Sequence, residues 1–477
     1  MNAGIARAVR SVDTAGWPSV AMEFGADALE ILVPPAAEVL TMKDVVPVGD
    51  PGQAFASALA HPIGSRGLGD ILRGKGKPPA RLTVAVSVSD ITRPVPYEGE
   101  TGLLAPLLRA IEDAGVPSGN ITIIVGTGMH RPSTDAEKAA MFGGDIVGSY
   151  RIFDHDCEDT DSLVHIGKTL SGTDVRVNGV FHRADVRVVT GLVESHFMAG
   201  ISGGRKGVCP ALVDKRTLER FHSPEFLESP FADNLILEGN PCHAESLEVA
   251  RTVGVDFLIN VTLDKDMRLT GVFAGDLEPA HFAAFDFMKG YTAIPIGREF
   301  DIVLTHGGYS GRNHYQSAKA GCGAVPAVKR GGTIILAADN RDPEPVGSPE
   351  YRDLLGRFKE LGGIDGYLAM LRDPSWMFTK DQWEPEMWGR VLRKVGDAGL
   401  IYCGPQISAA DDALLPGRSG REYLDSPADG SSKRDIARTM VQNALLAAVG
   451  LSRAGGREPS VAFLREGPYG IPVFSVL

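Results

Sequence analysis

Four short segments of this chain hold side chains able to exchange protons, bind anions or react as nucleophiles. SDITRPVP (89–96) places Asp90, Thr92 and Arg93 directly after an apolar run, stiffened by Pro94 and Pro96. A planar guanidinium such as that of Arg93 suits a carboxylate or a phosphate; a solvated turn is the plainer alternative. GTGMHRP (126–132) presents His130 behind two glycines, and a dinucleotide fingerprint would need glycine where Arg131 stands. ESHFMAGISGGRKGVCPALVD (194–214) is the densest, with Glu194, His196, Gly203, Gly204, Arg205 and Lys206. It is not a Walker A loop, because Arg205 replaces the glycine before the lysine and Gly207 stands where Ser or Thr is required. Its glycines still let backbone N–H groups approach an anion, and Lys206 among them could bind phosphate or react covalently. ERFHSPEF (219–226) supplies His222.

His130, His196 and His222 could converge on a metal, although their spacing matches no local zinc signature. Further on, HGGYSGRNHYQSAKAG (306–321) carries Gln316 and Lys319, which share a face if the segment is helical and could clamp a carboxylate. DQWEPEMW (381–388) offers Trp383 and Trp388 as pocket walls or as core.

The elements that must position these groups alternate. RLTVAVSVSD (81–90), ITIIVGTGMHRP (121–132) and DVRVVTGLVESHF (185–197) each read as a buried strand running into a polar loop. LLAPLLRAIEDAGV (103–116) has helical periodicity. A second set of strands follows at EFDIVLTHGG, GGTIILAAD, AGLIYCGP and SVAFLREGP, with DIARTMVQNALLAAV as a helix between the last two. The pattern predicts an α/β protein of two domains with mostly parallel sheets. The larger spans residues 1–293, with 1–21 a loose extension, and the smaller spans 294–477. Ligands of parallel sheets collect beyond the C-terminal strand ends, where the loops above lie.

Composition narrows the classes. The 477 residues are 43% hydrophobic and 23% charged, ordinary for a folded chain. A formal charge of −12 without a basic block argues against nucleic acid and anionic membranes as partners. There is no apolar run long enough for a membrane span, no secretory leader pattern and no CxxC pair among five cysteines. A reducing, cytoplasmic location is the expectation.

Taken together, SDITRPVP, GTGMHRP, SHFMAGISGGRKGVCPAL with the later His222, YQSAKA, DQW and the terminal REGPYGIP resemble the nickel-pincer lactate racemase family from about residue 22 onward. The resemblance implies two α/β domains with the active site between them. It implies racemisation or epimerisation of a 2-hydroxy acid by reversible hydride transfer through a 2-keto acid. The cofactor would be a nickel-pincer pyridinium mononucleotide bound covalently to Lys206, with Gly203, Gly204 and Arg205 around it. His222 looks like the nickel ligand, and His130 and His196 resemble the acid/base pair. Arg93, Gln316 and Lys319 resemble the groups that orient the substrate, with Asp90 and Trp383 beside them. The partners implied are the small substrate and the enzymes that make the cofactor; homo-oligomerisation is left open. Family members often carry a GGYPLD-type stretch where this chain reads GGYSGRNH, so Arg312 or His314 could accommodate a larger or second anionic group. Two other classes stay open at this point. One is a zinc-dependent hydrolase using His130, His196 and His222; the other is a non-catalytic protein that binds an anionic metabolite.

Overall fold

The structure, a computed structural model, describes residues 1–425 and 431–474. The chain forms two compact units. A central unit comprises Asp44–Tyr291, and a terminal unit combines Met1–Lys43 with Thr292–Leu477.

The central unit is built on a six-stranded sheet. Its order is Leu269–Gly275, Phe257–Leu263, Val186–Leu192, Val84–Ser89, Ile121–Gly126, Arg151–Asp154. The first pair is antiparallel and the other neighbours are parallel. The middle strands are nearly continuous Val and Ile because both faces are covered. Val84, Val86 and Val88 pack with Leu104, Leu107, Leu108 and Ile111 of the helix Leu104–Asp113 in one apolar cluster. The register sets Ser89 opposite Gly126. The polar segments after three adjacent strands therefore emerge at the same edge of the sheet.

In the terminal unit six parallel strands run in the order Arg418–Ser419, Leu400–Cys403, Val328–Ala337, Phe300–His306, Val461–Leu464, Glu38–Leu40. The α/β class with mostly parallel sheets is the one the sequence predicts. The N-terminal segment is not. Residues 1–43 lie with the C-terminal part rather than with the first domain, since Glu38–Leu40 pairs with Val461–Leu464. Nor are residues 1–21 a loose extension. Asn2 caps a helix over Ala3–Arg10 by accepting from the Ile5 N–H. Ile5, Val9 and Val12, spaced to share a helical stripe, join the core that contains Ala444 and Leu445 of the long helix Lys433–Ala454.

Among the described residues no helix is long and apolar enough to cross a membrane, and the five cysteines are buried and form no disulfide.

Candidate functional site

Three loops of the central unit carry the site. The first leaves the strand Val84–Ser89. Tyr97 ties it down: its hydroxyl accepts from the Ser89 N–H at 2.6 Å and lies 3.0 Å from Thr190 Oγ1. Asp90 is buried there. Its Oδ1 accepts from Thr92 Oγ1 at 2.6 Å, and its Oδ2 lies 2.6 Å from His130 Nδ1 on the second loop. Burial alone would raise the Asp90 pKa, but His130, Thr92 and Arg93 outweigh it and hold the carboxyl down to about 2. Arg93 Nη1 sits 3.4 Å from Glu194 Oε1 on the third loop.

The third loop follows Val186–Leu192. His196 and Ser195 pair antiparallel with Gly200 and Ile201 in a tight turn. His196 Nδ1 accepts from the N–H groups of Met198 and Ala199, each at 3.3 Å. Lys206 Nζ lies 3.4 Å from His196 Nε2 and 5.0 Å from the centre of the Phe221 ring. Burial, with the cations of Arg93 and Arg205 nearby, lowers the Lys206 pKa to about 7. Near neutral pH a large share of its amine is therefore uncharged and nucleophilic, as a covalent role requires. Ser87 Oγ donates to the Gly207 carbonyl at 2.6 Å and fastens the loop's end to the central strand.

His222 ends the helix Lys215–Phe221, and its Nδ1 lies 2.9 Å from the Leu218 carbonyl. A carbonyl can only accept, so Nδ1 carries the proton and Nε2 keeps its lone pair. Burial and the neighbouring Lys206 lower the ring's pKa to about 3, so it stays neutral. A neutral imidazole with one nitrogen fixed by a carbonyl could hold a metal through the other. Among the described residues, no three His, Cys, Asp or Glu side chains form a ligand set. His130, His196 and His222 therefore do not build the zinc site of the hydrolase alternative.

Arg205 departs from expectation. Its side chain is turned into the core rather than toward a ligand. One guanidinium nitrogen donates to the Ile201 carbonyl at 2.9 Å and contacts His281 Nε2 at 2.9 Å; the other donates to Ala199 at 2.7 Å. Beyond it, Asn260 Oδ1 lies 3.0 Å from His281 Nδ1 and accepts from the Gly204 N–H at 3.0 Å. The Gly204 amide is thus committed to Asn260 and does not cradle an anion. A side chain at Gly204 would put its Cβ 2.4 Å from the His281 ring, at a φ of +54°. At Gly203, φ +70°, it would crowd the Leu192 carbonyl and Val193. These glycines serve close packing behind Lys206. Sequence reasoning missed Tyr97, Asn260 and His281. Asn260 left one signal, a lone amide inside the apolar run FLINVTL.

Gln316, Lys319 and Trp383 belong to the terminal unit. The first two lie on the helix His314–Ala324, which Asn313 caps by accepting from the Gln316 N–H. Lys319 faces the buried Glu384, whose carboxyl burial pushes well above its ordinary pKa. Trp383 is buried and donates from Nε1 to Tyr315 Oη at 2.9 Å. The second-anion expectation for Arg312 and His314 is corrected. Arg312 Nε is paired with Asp342 at 2.9 Å. His314 is fully buried, stacked on Trp388 at 4.5 Å with Nδ1 on Tyr351 Oη.

Comparison with known proteins identifies the family. Residues 24–233 match the lactate racemase N-terminal domain family. The chain is 38% identical over 342 residues to a lactate racemase of Lactiplantibacillus plantarum, covering 71% of this chain and 77% of that protein. It is 33% identical over 337 residues to one of Thermoanaerobacterium thermosaccharolyticum, covering 70% and 76%. The solved lactate racemase apoprotein from the latter organism superposes with a TM-score of 0.79 at 26% identity, over 95% of this chain and all of that one. A crystal structure of a Thermotoga maritima protein shares the fold, with a TM-score of 0.60 at 16% identity over 87% of this chain. The chain belongs to the lactate racemase family of isomerases.

Proposed function

We propose that this protein racemises a small 2-hydroxy acid, lactate first among them. One observation carries the reading: Lys206, enclosed and pressed toward its neutral amine, lies 3.4 Å from His196 Nε2. His130, tethered to Asp90, follows the strand Ile121–Gly126, two places along the sheet. The residues fit a nickel-pincer nucleotide, since Lys206 is a reactive amine able to hold it covalently and His222 offers Nε2 to nickel. That cofactor, when bound, supplies a reversible acceptor for the α-hydrogen as hydride.

The protein's own groups do the rest. Arg93 of the central unit is the cation suited to a carboxylate, and the family resemblance gives Gln316 and Lys319 of the terminal unit a part in orienting the substrate. His130 and His196 handle the hydroxyl proton, and Asp90 stabilises His130 when it is charged. Trp383 walls the substrate side. The cofactor-synthesis enzymes are the partners of this reading, and the cytoplasm is its compartment.

The test is intact mass and metal content after co-expression with cofactor-synthesis enzymes, beside Lys206→Ala. A mononucleotide-sized adduct with nickel, absent from the variant, together with interconversion of D- and L-lactate, is the expected result. No adduct under conditions that load a known lactate racemase would overturn the cofactor assignment. An adduct without turnover on a panel of 2-hydroxy acids would overturn the substrate class.

A further inference from the structure

A buried polar chain ends on the turn that carries Lys206. Asn260 lies in the strand Phe257–Leu263, where its neighbours Leu258, Ile259 and Val261 are buried and apolar. Its Oδ1 is 3.0 Å from the Gly204 nitrogen, and its Nδ2 is 3.1 Å from the Gly191 carbonyl oxygen. A backbone N–H only donates and a carbonyl only accepts, so these two groups fix which way the Asn260 amide points. His281, on the helix Pro279–Thr292, places Nδ1 3.0 Å from the same Oδ1 and Nε2 2.9 Å from an Arg205 Nη. Oδ1 accepts and a guanidinium donates, so the His281 proton sits on Nδ1 and Nε2 is bare. Both ends of the ring demand the same tautomer, and Arg205, His281 and Asn260 are all buried.

The chain acts on a short element. Gly204–Gly207 is a single tight helical turn, with the Lys206 N–H bonded to the Gly203 carbonyl at 3.0 Å. The first N–H of a helical turn has no partner within it, and Asn260 Oδ1 supplies one from another strand. A turn this short has little stability of its own. It also lies close on the sheet: a Cβ at Gly191 would be 3.3 Å from the Gly203 Cα. A leucine at 260 would suit the apolar strand, whereas a buried amide and imidazole must recover their desolvation cost through hydrogen bonds. What the polar chain adds is direction, because one arrangement of the turn satisfies it and others do not.

We propose that Asn260 and His281 are positioning residues for Lys206, gripping its turn from a strand and a helix so that the amine stands in one direction when the cofactor arrives. They act through Gly204 and Arg205. The role rests on the racemase reading, in which Lys206 is the attachment point. Misplacing a reacting atom by ~1 Å can cost ~10²-fold in rate, so a slack turn would be felt first in attachment.

Two measurements on the full chain test the role. Ring-nitrogen NMR of 15N-histidine-labelled protein at pH 8, with His281→Gln assigning the signal, is expected to show His281 in the Nδ1–H form. The Nε2–H form overturns the chain. Intact mass after co-expression with the cofactor-synthesis enzymes then reads the fraction of folded protein that carries the adduct. Asn260→Leu and His281→Leu are expected to carry ~10-fold less than wild type. His281→Gln, whose amide offers both an acceptor and a donor, should recover most of the loading. Leu107→Ala opens a cavity at a buried position of the helix Leu104–Asp113 and controls for lost stability; it should load as wild type does. Leucine variants that load fully, a glutamine variant no better than leucine, or an equal loss in Leu107→Ala each overturn the positioning role while the racemase reading stands. A wild-type chain that stays unloaded where a known lactate racemase loads overturns the racemase reading, and the positioning role with it.

Discussion

Arg205 and His281 form a fully buried pair, a guanidinium nitrogen 2.9 Å from an imidazole Nε2. Among the described residues no carboxylate pairs with this cation. A buried charge without a counter-ion is costly unless hydrogen bonds offset it; here the carbonyls of Ala199 and Ile201 engage the two Nη atoms, while Nε is buried without a partner. Burial lowers the Arg205 pKa to about 9, so at neutral pH it remains a cation beside Lys206 and contributes to lowering that amine's pKa. One side chain thus shapes the glycine-rich loop and tunes its lysine.

Arg205→Met would orphan those carbonyls and free His281 Nε2. Each buried acceptor left unpaired costs ~1–3 kcal/mol, partly offset by removing a buried charge. The expected outcome is a loss of ~2–4 kcal/mol in urea unfolding. Arg205→Lys should not restore it, because an ammonium lacks the planar fork that spans several carbonyls. Unchanged stability in either variant would mean that the loop is held by other means.

Gly204 is a second constraint on the same loop. Alanine there meets two penalties, a left-handed φ of +54° and a Cβ 2.4 Å from the His281 ring. Gly204→Ala should destabilise the protein by more than ~2 kcal/mol. Gly119 is the control, because a Cβ there meets nothing within 4 Å. Gly119→Ala should stay within about 0.5 kcal/mol of the parent. Thermal and urea unfolding of the two variants side by side decide the point.

These interior contacts explain what the sequence could and could not disclose. The strands that end at Ser89, Gly126 and Leu192 were readable because each is a short apolar run halted by a polar loop. Alignment of their loops follows from parallel register, and the groups the reading singled out, Asp90, His130, His196 and Lys206, lie on them. Arg205 was misread because adjacency to Lys206 says nothing about side-chain direction. Its partner His281 lies 76 residues away, and only the fold joins them. The strand Phe257–Leu263 and its hairpin partner Leu269–Gly275 went unread because Asn260 and Thr262 interrupt the apolar run of the first and Thr270 and Gly271 that of the second. The N-terminal helix was unread because its apolar stripe is only three residues and its partner helix is more than 400 residues away.

Lys206 gives a pH signature in the protein without cofactor. An ordinary lysine loses its proton near 10.5, and Lys206 does so near 7. Limited labelling with an amine-directed reagent should modify Lys206 with a midpoint near pH 7, well before exposed lysines. The sign for stability follows. Between about 7 and 10.5 the unfolded chain holds a proton that the folded chain has released, so stability rises with pH across that window. Lys206→Met should remove this slope and be the more stable form at pH 7. Labelling that tracks the exposed lysines would show the amine to be fully charged in the folded chain.

Acid should act on the terminal unit through His314. Its ring is buried against Trp388 and Tyr402, with Nδ1 on Tyr351 Oη. Burial lowers its pKa to about 3, against an ordinary 6.5. A folded-state pKa this low means that the unfolded chain takes up the proton first as pH falls. Stability contributed by the neutral ring is present above 6.5 and is lost progressively between 6.5 and about 3. His314→Phe keeps the stacking but cannot titrate. It should reduce the proton uptake of unfolding by about one between pH 4 and 6, read as a shallower fall of urea stability with pH. The variant should lose ~1 kcal/mol at pH 8 from the missing Tyr351 bond, and that deficit should shrink or reverse at pH 4. A deficit constant across that range would place the acid sensitivity of the unit elsewhere, with His306 the next buried imidazole to test, its pKa lowered to about 4.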